Sequence, residues 1–235
     1  MRPFFRTLAR RVLPQPRPTS LHEPLRASFG ALIGIGLTGA VSTACIGTGN
    51  ELPWLIAPMG ASAVLLFGVP ASPLAQPWSI LGGNVVAALI GVSAAHWIAS
   101  PLLAAVLAVG GALLAMAYLR CVHPPSGAVA LTAVLGGPHI LALGYGFVLV
   151  PVGLNSLLMT IAALLYNNAT GRSYPHHAHA VAHPQPAPPE LDPADLDAVL
   201  ADYGETVDIS RDDLKALCEE LLARTQVRAA VRPAA

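Results

Sequence analysis

Charge is what this chain lacks. Asp, Glu, Lys and Arg make up only 11% of its 235 residues, where an ordinary soluble domain carries roughly 25%. The shortage is concentrated, because between Ala27 and Gly171 the only such residues are Glu51 and Arg120. An ionised side chain at the bilayer centre costs about 2.5–3.5 kcal/mol on insertion scales. The middle of the chain therefore has the composition that lipid demands, and a soluble globular fold is excluded. Cysteine is scarce as well. Cys45, Cys121 and Cys218 form no CxxC pair and are odd in number, which speaks for lone thiols and against a disulfide framework or a thiolate metal site. The chain also has no phosphate loop, no zinc-hydrolase motif and no nucleophile with its base. An enzyme is not expected, and neither is a cofactor, a metal or a nucleic-acid partner.

What charge there is lies at the ends. Residues 1–26 hold Arg2, Arg6, Arg10, Arg11, Arg17 and Arg26 against Glu23, whereas the stretch from Arg172 onward holds six basic residues and eleven acidic ones. No small-residue cleavage pattern follows a short apolar stretch, so the start reads as a basic cytoplasmic arm rather than a targeting peptide. The domain reading is thus a basic arm (1–26), a transmembrane domain (27–171), a His/Pro-rich linker (172–190) and an amphipathic helical tail (191–235).

A helix needs about 20 mainly apolar residues to cross the hydrocarbon core. Four stretches meet this: Ala27 to Ile46, Ile80 to Ile98, Leu102 to Leu119 and Gly144 to Tyr166. Two more are short or broken, "LPWLIAPMGASAVLLFGVP" (52–70) and "HPPSGAVALTAVLGG" (123–137). Six segments return Arg120 and Arg172 to the side of the basic N-terminus and satisfy the positive-inside rule, whereas four put Arg120 outside. The expected fold is therefore an all-α membrane protein of about six segments, four long and two broken by proline. Both termini are expected in the cytoplasm, and the protein in the plasma (inner) membrane.

The two broken segments resemble each other. "PMGASAVLLFG" from Pro58 matches "PSGAVALTAVLG" from Pro125, and "GGN" ending at Asn84 matches "GLN" ending at Asn155. Three segments per unit would make the second unit an inverted copy of the first. In transporters, such paired interruptions mark a midplane site. Proline drives the residue before it out of the helical region and starts helices readily, so the chain should open at His123 and Pro124 and resume at Pro125. In lipid an open backbone is tolerated only where protein or a cavity satisfies it. The amides of Ser126, Gly127 and Ala128 are expected to be free at this start, where the helix dipole favours an anion. Pro58, Gly60 and Ser62 are expected to do the same on the other side, with Gly127 giving close access. His123 could donate a hydrogen bond or take up a proton accompanying the anion. The alternative is that Pro124 and Pro125 mark a surface loop, with Arg120 snorkelling to the interface. Asn84 and Asn155 are either interhelical partners or ligands lining a path. Glu51 and Arg120 are expected at interfaces or in a gating role.

His96 and His139 read as interfacial or solvated. The linker histidines 176, 177, 179 and 183 have no second shell to fix a metal. "GALIGIGLTGA" (30–40) reads as close helix packing. In the tail, Asp192 with Pro193 and Ser210 with Asp213 read as the starts of two helices, the first ending near Gly204. Leu214, Leu217, Cys218, Leu221 and Leu222 form one apolar stripe on the second.

With "HPPSGA" (123–128), "APMGASAVLLFG" (57–68) and the "GGN" helix in hand, the chain resembles the HPP family of integral membrane proteins over roughly residues 20–170. That resemblance implies four membrane-spanning helices and, from the chloroplast and cyanobacterial members, transport of nitrite. "LDAVLADYGETVDISRDDLKALCEELLARTQVRAA" resembles the connector that leads into paired CBS domains in longer relatives; with the sequence stopping at Ala235, those domains are expected to be absent. The leading functional expectation is a permease for a small inorganic anion such as nitrite, with the lipid bilayer and further copies of itself in a homo-oligomer as its partners. The alternative is a membrane anchor or sensor signalling through its tail to a soluble partner.

Overall fold

The computed structural model describes residues 21–47, 53–178, 191–203 and 206–231. Residues 1–20, Glu51, His179, His183 and Gly204 lie outside the described residues. The architecture is all-helical. Four helical stretches are long and apolar enough to cross a membrane: His22–Ile46, Pro77–Trp97, Pro101–Tyr118 and Val148–Ala169. Two shorter apolar helices, Pro58–Gly68 and Ser126–Leu135, complete the bundle. We label these α1 (His22–Ile46), α2 (Pro58–Ala63, continuing as a π-helix over Val64–Gly68), α3 (Pro77–Trp97), α4 (Pro101–Tyr118), α5 (Ser126–Leu135), α6 (Pro138–Leu143) and α7 (Leu154–Ala169, entered through the π-helical Val148–Gly153). In the tail are α8 (Pro193–Tyr203) and α9 (Arg211–Val231).

Prolines set most of these starts. Pro58, Pro77, Pro101 and Pro138 occupy first-turn positions, where a missing N–H costs nothing and the fixed φ suits the helix. The long helices agree with the expected spans to within a few residues, with one correction at the start. Helix α1 begins at His22, so Arg26 is not part of an arm but a buried residue of the bundle, 7% exposed. The short helix α6 carries His139, which is exposed.

Side-chain pairings along the helices fix their directions. Arg26 near the start of α1 meets Phe67 at the end of α2 and Asn167 at the end of α7. Ser42, near the far end of α1, meets Asn155 at the start of α7. Helices α2 and α7 therefore run antiparallel to α1. Asn84 meets Ser126, and Gly91 packs on Ala130 and Ala133, so α5 runs parallel to α3. Trp78 Nε1 donates to Leu119 O at 3.2 Å, joining the start of α3 to the end of α4. The order α1, α2, α3 is thus up, down, up, and α4, α5, α7 is down, up, down: two three-segment halves of opposite sense.

Small residues hold the halves together. Ala87, Ala88, Ala108, Ala112 and Ala130 are all fully buried where α3, α4 and α5 meet, which lets backbones approach closely in the absence of a hydrophobic drive between helices in lipid. The expected packing role of the glycines in α1 is met by an aromatic ring. A Cβ at Gly30 or Gly34 would stand 2.5 or 2.6 Å from Phe67. Phe67 itself stacks edge-on to Tyr166, with centroids 5.7 Å apart. Leu102, Leu114 and Leu149 are each more than 70% exposed and face outward from the bundle, which is where an acyl chain would lie.

Tail helix α8 starts as expected, with Ala194 N donating to Asp192 Oδ1 at 2.8 Å. At α9, Asp213 N donates to Ser210 Oγ at 3.1 Å and that hydroxyl donates to Asp213 Oδ2 at 2.5 Å, a start that resembles a capping box but returns to the serine hydroxyl. The apolar stripe of α9 is only partly covered, since Leu217 and Leu221 remain exposed.

Candidate functional site

The two broken segments meet at their N-terminal halves. His123 lies between α4 and α5, fully buried, with Nε2 2.9 Å from Ser62 Oγ on α2 and Nδ1 2.8 Å from Leu74 O. A carbonyl can only accept, so Nδ1 carries the hydrogen, and in the neutral ring Nε2 is left as the acceptor of the Ser62 hydroxyl. Ser62 Oγ also lies 3.3 Å from Pro58 O.

The backbone bond from Ser126 N to His123 O leads from this contact to further buried polar side chains in the middle of the bundle, which form two separate hydrogen-bonded groups. Ser126 Oγ donates to Asn84 Oδ1 at 2.7 Å, and Asn84 Nδ2 donates to Ser156 Oγ at 2.9 Å. The neighbouring Asn155 accepts from Ile56 N at 3.0 Å and donates to Ser42 Oγ at 2.8 Å and Trp54 O at 3.0 Å. Ser42, Ser62, Asn84, His123, Ser126, Asn155 and Ser156 are all fully buried. The two asparagines are crossed: the one on α3, in the first half, holds the start of α5, and the one on α7, in the second half, holds the chain entering α2. From Asn155 to Asn167 the helical rise is about 18 Å, against a hydrocarbon core of about 30 Å. Asn155 thus lies well inside the bundle from the Arg26 end, and at the second interruption His123 is enclosed by protein while Arg120 and Pro124 are exposed.

Two expectations need correction. The amides at the start of α5 are not free: Ser126 N donates to His123 O (2.9 Å), Gly127 N to Pro124 O (3.2 Å) and Ala128 N to Pro125 O (3.0 Å). At α2, Met59 N and Gly60 N likewise donate to Ile56 O and Ala57 O. The turn preceding each helix supplies carbonyls in 3₁₀ geometry, so the groups that face across the bundle are hydroxyls, carboxamides and an imidazole instead. The second correction concerns glycine. A methyl group at Gly60 or Gly127 would have nothing within 4 Å of it, and neither residue lines the polar centre. Close approach happens at Gly83, where a Cβ would stand 2.7 Å from Cys121 O and 3.0 Å from both His123 Cβ and Ser126 Oγ. Pro58 and Pro125 are buried while Pro124 is exposed. Gly83, Ser42, Ser156 and the Leu74 carbonyl escaped the sequence reading. The signal for the first lay in the "GGN" triplet itself.

Arg120 is exposed and sits at φ 53°, in the left-handed region, where the chain leaves α4. It forms no ion pair among the described residues. The charge inside the bundle is Arg26, whose Nε donates to Glu23 Oε2 (3.0 Å), Nη1 to Asn167 Oδ1 (3.1 Å) and Nη2 to Phe67 O (2.9 Å). The π-helical end of α2 frees carbonyls from the regular ladder, and Asn167 Nδ2 takes the one at Leu66 (3.0 Å). Arg172 also pairs with Glu23.

At this same end the tail docks. Ser72 Oγ lies 2.8 Å from Asp208 Oδ1, and His176 Nε2 lies 2.9 Å from both oxygens of Asp213. Tyr174 is buried and donates its hydroxyl to Ala75 O at 2.7 Å; burial pushes its phenol above the ordinary range. A cavity of about 550 Å³ lies between tail and bundle, lined by Glu23, Arg26, Ser72, Arg172, His176 and Asp208 among others.

Lipid-length helices, two halves of opposite sense and a buried polar centre define a polytopic membrane protein of the broken-helix kind. Its sequence matches the HPP transmembrane region over residues 16–175, and the chain belongs to the HPP family. It is similar to two transmembrane proteins of Dictyostelium discoideum. One is 39% identical over 131 residues, covering 54% of this chain and 42% of the relative. The other is 40% identical over 130 residues, covering 53% and 45%. The chain thus spans less than half the length of either relative. No solved structure matches it.

Proposed function

We propose that this protein is a permease for a small monovalent inorganic anion of the nitrite type, passing where α2 and α5 meet. The observation that carries the reading is the Ser62–His123 contact between two interrupted segments of opposite direction, fully buried beside the crossed asparagines Asn84 and Asn155. A merely structural bundle has no need of interrupted helices in its interior, since each interruption costs regular helix hydrogen bonds that lipid cannot replace. Hydroxyl and carboxamide donors already gathered there can turn toward an anion, and neither half has to unfold for it. The basic N-terminal arm, Arg26 and Arg172 favour a cytoplasmic location for the Arg26 end by the positive-inside rule, in keeping with our reading of an inner (plasma) membrane protein.

Uptake of nitrite or nitrate into proteoliposomes tests this. Wild type should show saturable flux that falls at least tenfold in Ser62→Ala and His123→Ala. Unchanged flux in both variants would remove the contact from the mechanism. The second reading, a sensor acting through its tail, is favoured by the Ser72–Asp208 and His176–Asp213 contacts. Removal of residues 178–235 separates the two, because a permease keeps its flux and a sensor loses its output.

A further inference from the structure

We propose that His123 carries a proton together with the anion, so that the permease is an anion–proton symporter. The inference rests on the permease reading above and concerns the same site.

It starts from the charge inventory of the polar centre. Ser42, Ser62, Asn84, Ser126, Asn155 and Ser156 are neutral at any physiological pH, and all are fully buried with His123. Arg26 is already committed to Glu23, Asn167 and the Phe67 carbonyl at one end of the bundle. Arg120 is exposed on the turn outside. A bare anion brought among these groups would be a buried charge without a counter-charge, which hydrogen bonds alone compensate poorly. The imidazole is the member of the set that can supply the missing positive charge. A lone imidazolium there would be equally unfavourable, so the anion and the proton each create the site that the other needs.

The geometry accepts that proton without leaving a group unsatisfied. Leu74 O holds Nδ1–H in place, so the incoming proton must add to the Nε2 lone pair, on the side of Ser62. The Ser62 hydroxyl then has to give up its acceptor. It has a second one, Pro58 O at 3.3 Å. The hydrogen swings to Pro58, and Nε2–H donates to Ser62 Oγ. When the anion leaves, Nε2 releases the proton to the same side and the hydroxyl turns back. One proton and one monovalent anion cross together, with no net charge moved.

The elements packed around His123 leave this balance undisturbed. Helix α2 contributes Ser62. Helix α3 contributes the Gly83 backbone and, through Ser126 of α5, the Asn84 carboxamide. The preceding turn brings the Cys121 thiol, buried against Gly82 and Gly83. On the segment bearing Leu74, Tyr174 sits on the carbonyl of Ala75 and Asp208 on the hydroxyl of Ser72, neither on Leu74 itself. Among the described residues no carboxylate or guanidinium contacts the imidazole.

The test uses the full chain in proteoliposomes loaded with a pH-sensitive dye, with nitrite and nitrate as probes, protein-free vesicles as the blank and valinomycin–potassium to set the membrane potential. Symport predicts that uptake acidifies the lumen by about one proton per anion. It also predicts that an inward gradient of one pH unit supports about tenfold accumulation, and that the potential has no effect on either. His123→Gln should abolish gradient-driven accumulation, and Ser62→Ala should slow it. If His123→Gln fails to fold, the wild-type acidification and potential measurements decide by themselves. Anion uptake that is driven by the potential and leaves the lumen pH unchanged would overturn the symport while leaving the permease standing. Absence of uptake for both probes would overturn the permease and the symport with it.

Discussion

Replacing Gly83 with alanine should damage the protein, while the same change at Gly60 or Gly127 should not. A methyl at Gly83 would stand 2.7 Å from the Cys121 carbonyl and 3.0 Å from His123 Cβ and Ser126 Oγ, whereas nothing lies within 4 Å of one at Gly60 or Gly127. The first of those neighbours is backbone, held by the turn that carries His123, and cannot yield the way a side-chain tip does. Overpacking of this kind costs about 1–3 kcal/mol. It is partly offset by the roughly 0.5–1 kcal/mol that alanine gains over glycine in a helix. Gly60→Ala and Gly127→Ala receive the gain without the cost. The two classes should therefore differ by about 2 kcal/mol, or roughly 4–8 °C in melting temperature for a chain of this size. Thermal unfolding of the detergent-purified variants measures it, with anion flux as the second readout. Gly83→Ala melting at or above Gly127→Ala would refute the claim that α3 and the proline turn are in hard contact.

The crossed carboxamides and the buried arginine give three more. Asn155→Ala should cost about 1–2 kcal/mol, because it strands Ile56 N. Asn155→Asp should cost more by the same melting assay, because a carboxylate turned toward Trp54 O loses both donated bonds. Arg26→Lys should lose about 2–4 kcal/mol, since a point charge cannot serve Glu23, Asn167 and Phe67 O at once; equal melting of the lysine variant would contradict it. Asp208→Ala together with His176→Ala should raise hydrogen exchange in the first turn of α9 while leaving the bundle's melting unchanged.

The near-absence of charge from Ala27 to Gly171 made the four long spans legible, and local stereochemistry made the helix starts legible. Asp192 and Ser210 act through residues two to four positions away, so the chain carries the whole signal in one place, whereas the starts at Pro77 and Pro101 lie a few residues before the expected Ile80 and Leu102. The polar centre was legible in its members but not in its wiring. Ser62 and His123 are 61 positions apart, and Ile56 and Asn155 are 99. Nothing local says which of several buried polar groups becomes whose partner. The expectation of open amides at Pro125 failed for a related reason. A proline pair announces a break, but whether the turn before it folds back to satisfy the next amides depends on ψ at His123 and Pro124, which neither proline determines alone. Arg26 was placed in an arm because arginine is expected to leave the bilayer. The partners that keep it in, Asn167 and the π-helical end of α2, come from distant segments.

The crossed asparagines also bear on how such a chain is made. The amide of Ile56, at the entrance to α2, finds its acceptor on Asn155, which leaves the ribosome about a hundred residues later. The first three segments can therefore reach the bilayer, but one of their interruptions must wait, wet or held by the insertion machinery, until the last helix arrives. A chain cut short before that helix would be threaded and yet unfinished, which makes the final span the step at which a quality-control protease could tell a complete molecule from a stalled one.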